Sequence, residues 1–175
     1  MPHLNVEIKA SCSNPEFIRN YLFTKNAKFI GTDRQIDTYF NVTNGRLKLR
    51  EGVIENNLIF YERNNQPGPK SSFFNLIKIS DPNGLKEVLK NSIGIKMIVT
   101  KKREIYYIGN IKFHIDEVDE LGSFVEIEAG NILVDLTELE LTEQCNFYLK
   151  EFGIKTKDLI AESYSDMLIK KQRAI

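Results

Sequence analysis

Five short stretches of this chain carry ionised side chains at alternate positions. Arg46, Lys48 and Arg50 are separated by Leu47 and Leu49, and Lys101 and Arg103 flank Lys102. Glu7 and Lys9 alternate with Val6 and Ile8, Lys112, His114 and Asp116 with Phe113 and Ile115, and Glu126 and Glu128 with Val125 and Ile127. Successive side chains on a strand point to opposite faces, so each charged set shares one face. Like charges two residues apart repel, a cost that solvent weakens without removing. A bound polyanion relieves the basic runs, and a divalent cation relieves the acidic one. Arg grips phosphate oxygens in pairs of hydrogen bonds, whereas Lys supplies mobile point charges. Mg²⁺ takes one or two carboxylates together with phosphate oxygens and water. These residue types therefore point to metal-assisted chemistry on a phosphate chain.

Such alternation has two settings. One is an antiparallel sheet with its apolar face on helices and its charged face in solvent. The other is a closed barrel whose charged faces point inward, since an eight-stranded interior holds side chains and one small ligand. Heavy ionisation and segregation of sign by strand favour the barrel. The elements that must position these residues are about eight strands and three or four helices. Strands are expected over residues 3–12, 28–41, 45–52, 56–64, 72–80, 96–108, 110–118 and 123–129. Asn14-Pro15 and Asp81-Pro82 each open a helix, with an acceptor at the N-cap and proline in the first turn. A third helix spans residues 137–152, a polar helix occupies 158–170, and residues 64–72, with Pro67-Gly68-Pro69, read as a loop. Strand follows strand through short turns in the second half, which favours antiparallel pairing. The fold class expected is α+β, mainly β: an eight-stranded antiparallel barrel with helices packed outside, in one domain over residues 1–175.

Composition narrows the function. The 175 residues are 42% hydrophobic, as in a globular protein, and no apolar run approaches the roughly 20 residues of a membrane span. The opening MPHLNVEIKA lacks the blocks of a secretory leader. Cys12 and Cys145 have neither metal-ligand nor redox spacing and read as reduced thiols, so a cytoplasmic location is expected. Twenty-four basic residues balance 24 acidic ones, which argues against nucleic acid as a partner.

Asn5-Val6-Glu7-Ile8-Lys9 resembles the opening Glu-x-Glu-x-Lys strand of the CYTH superfamily, the triphosphate tunnel metalloenzymes. Arg46-Leu-Lys-Leu-Arg50, Tyr61-Glu62-Arg63, Lys101-Lys-Arg103, Phe113-His-Ile-Asp116 and Gly122-Ser-Phe-Val-Glu126-Ile-Glu128 resemble its later basic and acidic strands. Ser163-Tyr164 matches a C-terminal signature. The family includes class IV adenylyl cyclases and thiamine triphosphatases. The resemblance implies a triphosphate held by Lys9, Arg46, Lys48, Arg50, Arg63, Lys78, Lys101 and Arg103. It places Mg²⁺ or Mn²⁺ on Glu7, Glu126 and Glu128, with Lys9, Arg63 and Asp116 in catalytic roles. Asn5 replaces the family's first glutamate, which puts two-metal chemistry in doubt but not triphosphate binding.

Several readings stay open. Asp116 either contacts metal or substrate or orients a nearby Arg. His114 reads as a structural histidine before a metal ligand, and Lys112 and Lys78 as charges at the rim. Lys70 either reaches a phosphate from a mobile loop or is solvated. The reaction expected is cyclisation of ATP to cyclic AMP and pyrophosphate; triphosphate hydrolysis, non-catalytic nucleotide or polyphosphate binding, and single-stranded RNA binding are the alternatives. A homodimer is compatible with the sequence, though no feature indicates one.

Overall fold

The structure, a computed structural model, describes residues 3–132 and 134–174. Met1 and Pro2, at the head of the segment read for a leader, lie outside the described residues. Eight strands form there: β1 His3–Ser11, β2 Lys28–Phe40, β3 Arg46–Glu51, β4 Asn57–Arg63, β5 Lys70–Lys78, β6 Ile95–Ile108, β7 Ile111–Val118 and β8 Gly122–Gly130. All pair antiparallel and close into a barrel in the order β1-β5-β4-β3-β2-β6-β7-β8, with β8 returning to β1. Four α-helices accompany them: α1 Pro15–Thr24, α2 Pro82–Ile93, α3 Glu138–Glu151 and α4 Tyr164–Arg173.

Local chemistry starts each helix where it begins. The Asn14 side chain accepts from the Phe17 amide, and Asp81 does the same for Gly84. Thr137 and Ser163 form reciprocal capping boxes with Glu140 and Asp166. Each such cap contributes about 1 kcal/mol. Gly45 sits at φ +63° between β2 and β3, and a Cβ there would fall 2.8 Å from the Phe60 ring, so the turn requires glycine.

The apolar faces lie outside the barrel. Val6, Ile8, Ile111, Phe113, Ile115, Val125 and Ile127 pack beneath Ile18 and Leu22 of α1 and Leu141 and Cys145 of α3. Each fully buried aliphatic or aromatic side chain contributes about 1.5–3 kcal/mol. Burial pushes the Cys145 thiol up to about 12, which makes it an inert core group. A second cluster, Tyr39, Ile59, Tyr61, Val99, Val118 and Phe124, faces inward at one end, where Tyr164 and Leu168 of α4 seal it.

Two expectations are corrected. Lys70 does not ride a mobile loop: β5 starts there, in register with Glu7, and the lysine is 1% exposed. Its Nζ donates to the Ile160 carbonyl at 2.9 Å, so carbonyls of the C-terminal segment supply the acceptors that a loop lysine would find in water. Residues 158–170 are not one helix: a 3₁₀ turn, Thr156–Asp158, precedes an extended strap, and α4 begins only after Ser163. The strap bridges Leu159 to Ala10, and its Ile160 amide donates to the Lys9 carbonyl, which an uninterrupted helix could not do.

Candidate active site in the barrel

The charged faces line a cavity of about 670 Å³. Glu7, Lys9, Lys48, Arg50, Arg63, Lys78, Lys101, Arg103, Glu126 and Glu128, all picked out in the sequence, border it. Arg46 does not: it turns to Asp166 and Asn65, at 2.9 Å each, outside the main cavity. Asp116 stands behind the wall and holds Arg103 by two bonds of 2.7 and 2.5 Å.

One end is closed. Tyr164 donates its hydroxyl to Asp116 at 2.8 Å, and Lys9 Nζ sits 3.6 Å above the Tyr164 ring centroid. Glu126, opposite Lys9 in the β1–β8 ladder, takes Lys9 at 2.8 Å and Arg103 at 2.6 Å. Burial alone would raise the Glu126 carboxyl; Lys9 and Arg103 overcome it and hold the group well below the usual range. Glu7 lies across from Glu128 in the same ladder and pairs with Arg63. Pairing of the first strand with the last thus brings together carboxylates far apart in the chain.

His114 lies between them, with Nδ1 3.2 Å from Glu126 and 3.5 Å from Glu128. Ligand atoms of His114, Glu126 and Glu128 all fall within 4.8 Å of one another. Burial, reinforced by Arg103, lowers the His114 pKa and keeps the ring neutral near pH 7. Its Nε2 is buried without a hydrogen-bond partner among the described residues. Two carboxylates and a neutral imidazole fit Mg²⁺ or, more comfortably, Mn²⁺. Asn5 faces the cavity but lies against Gly130, where a Cβ would come within 2.6 Å of its Oδ1.

Two site residues, Asp37 and Glu55, escaped the sequence reading. Asp37 of β2 takes Arg50 through two bonds and Lys101 at 2.7 Å, with Lys48 at 3.1 Å. Burial would raise its carboxyl, but those three cations hold it well below the ordinary value. Glu55, between β3 and β4, bridges Arg50 and Lys112. Tyr164 was visible as a signature without a role. Alternation along β2, with Asp33, Gln35, Asp37 and Tyr39 on one face, was the signal available for Asp37; Glu55 had none.

The other end opens to solvent. Ile54, Leu76 and Ile132, all more than a third exposed, rim it with Asn110 and Lys78. Lys112 lies at this end and pairs with Glu55.

The CYTH domain profile matches residues 3–164. The chain belongs to the CYTH family. It is 28% identical to a protein of Methanocaldococcus jannaschii provisionally named an adenylate cyclase, over 94% of this chain and 98% of the relative. A Pyrococcus furiosus structure described only as a conserved hypothetical protein is 26% identical, with a TM-score of 0.78 over 93% of this CYTH chain and 98% of its own. A Hippeastrum structure, provisionally called an adenylyl cyclase and described as having a dominant triphosphatase activity, shares the fold at 14% identity and a TM-score of 0.60, covering 97% and 95% of the two chains. No helix among the described residues is long and apolar enough to cross a membrane.

Proposed function

We propose that this CYTH protein is a metal-dependent enzyme acting on a triphosphate that enters the barrel phosphates first, with adenylyl cyclase-like conversion of ATP to cyclic AMP and pyrophosphate as its reaction. The observation that carries the reading is the polarity of the tunnel. Cations run from Arg50 and Lys112 at the mouth to Lys9 and Arg103 at a plugged end, so a polyanion is drawn in from one side only. An organic head group then remains among Ile54, Leu76 and Ile132, a rim that a bare phosphate chain would not use.

Lys9, Lys48, Arg50, Arg63, Lys101 and Arg103 orient the chain and neutralise charge gathering on the leaving phosphates. Asp116, behind the wall, and Asp37, within it, hold Arg103 and Arg50 in place. Glu126 and Glu128, with His114 beside them and Glu7 across the ladder, would hold the metal. Bound there, Mg²⁺ or Mn²⁺ would polarise phosphate oxygens and acidify the attacking hydroxyl. In cyclisation the 3′-hydroxyl oxygen bonds to the α-phosphorus, the bond from that phosphorus to the bridging oxygen breaks, pyrophosphate leaves and the hydroxyl proton passes to solvent. The second reading, hydrolysis of a triphosphate, uses the same residues with water as nucleophile; the activity described for the Hippeastrum protein favours it. The two free thiols, Cys12 and Cys145, support the cytoplasmic location that we propose.

The test is incubation with ATP, thiamine triphosphate and tripolyphosphate, each with Mg²⁺ or Mn²⁺, resolving products by chromatography. Cyclic AMP with pyrophosphate, lost in Glu126→Ala, supports cyclisation. Orthophosphate with the same dependence moves the assignment to triphosphatase. Binding without turnover of any substrate overturns the enzyme assignment.

A further inference from the structure

The cavity mouth already contains an anion that belongs to the protein. Glu55 Oε2 accepts from Arg50 Nη1 at 2.7 Å and from Gln35 Nε2 at 3.0 Å, while Oε1 takes Lys112 Nζ. The carboxylate is held there deliberately by its loop. Asp33, buried on β2, accepts the Val53 and Glu55 amides at 2.8 and 3.1 Å, and Gly52 allows this approach because a Cβ would fall 2.4 Å from Asp33 Oδ2. Arg50 does not depend on Glu55 for its position, since Asp37 grips it through Nε and Nη2 at 2.8 and 3.0 Å. One carboxylate thus pairs with two cations that line the path of the phosphate chain, without being needed to place the arginine.

We propose that Glu55 is a specificity-determining residue: it occupies the mouth-side phosphate position and limits how much a third phosphate adds to affinity. The inference rests on triphosphate binding in the barrel and is independent of which reaction follows. A phosphate at the mouth competes with Glu55 for Arg50 and Lys112, whereas a shorter chain seated against Lys9, Arg63 and Arg103 leaves that pairing intact. Glu55 is a poor candidate for a general base. Burial would raise its carboxyl, yet Arg50 and Lys112 hold it far below the usual carboxylate range, which leaves it little affinity for a proton.

The test is calorimetric titration of wild type, Glu55→Gln and Glu55→Asp with tripolyphosphate and pyrophosphate, with melting temperatures measured alongside. Removing the charge is expected to tighten tripolyphosphate roughly tenfold, with pyrophosphate changed less than twofold. Glu55→Asp, too short to span both cations, should fall between. Equal tightening of both ligands would reduce the effect to general electrostatics and overturn the proposal, as would unchanged or weaker tripolyphosphate binding in either folded variant. Failure of wild type to bind either anion would instead overturn the triphosphate assignment on which the proposal stands.

Discussion

At the plugged end Lys9, Arg103, Asp116, Glu126 and Tyr164 form one bonded network drawn from β1, β6, β7, β8 and α4. At the mouth Arg50 and Lys112 meet a carboxylate from a loop, and beyond it lie exposed aliphatic side chains. The first arrangement locks charges from several directions, so their geometry is set before any ligand arrives. The second leaves charges that an incoming anion can capture and an apolar rim that contacts only what remains outside. Affinity for a phosphate group as such belongs to the closed end, and discrimination among ligands carrying that group belongs to the mouth.

The largest test of this contrast is Arg103→Ala. It leaves Asp116 and Glu126 buried without their shared cation, a loss of about 3–5 kcal/mol, so the melting temperature should fall by on the order of 10 °C. Triphosphate binding should vanish from calorimetry. A melt within a degree or two of wild type would show that the closed end is not the organising network.

A pH series comes next. Burial lowers Lys101 to about 7 despite the help of Asp37, with Arg50, Arg103 and Lys48 acting in the same direction as burial, and burial likewise lowers Lys70 to about 7. Both are charged below that value and neutral above it in the free protein. Triphosphate affinity should therefore drop several-fold as pH rises from about 6 to about 8. Because the unfolded lysines keep their protons up to about 10.5, folding stability should rise over the same upper range, opposite in sign to the affinity. Flat affinity across pH 6–8 would remove Lys101 from the binding set.

Leu76→Ser tests the mouth alone. Leu76 is 45% exposed, so stability should change by less than about 0.5 kcal/mol. ATP should bind a few-fold more weakly while tripolyphosphate is unaffected; equal loss for both would erase the division between the two ends. Tyr164→Phe tests a single bond of the closed end, because it removes the hydroxyl on Asp116 but keeps the ring beneath Lys9. About 1 kcal/mol and a melting shift of roughly 2–4 °C should follow. A loss as large as that of Arg103→Ala would transfer the organising role to the tyrosine.

The alternating strands were legible because side-chain direction in a strand has a period of two and needs no knowledge of neighbours. Arg46, Lys48 and Arg50 could therefore be put on one face, and Asn14, Asp81 and Thr137 could be read as helix starts, from local chemistry. Arg46 shows the limit of that reading: it shares a face with Arg50, yet Asp166, from the far end of the chain, turns it away from the cavity. Lys70 shows another, because its burial depends on carbonyls of the C-terminal strap. Glu55 had no periodicity to betray it.

By itself, then, the sequence determined which side chains travel together on each strand, that those sets are charged on one side and apolar on the other, and where the helices start. Only the tertiary structure decided that the charged side is the inside, which end is sealed, and which opposite charges meet. Alternation is a property of a single strand. The meeting of Lys9 with Glu126, or of Asp37 with Lys101, is a property of ladder register and barrel closure between segments remote in the chain.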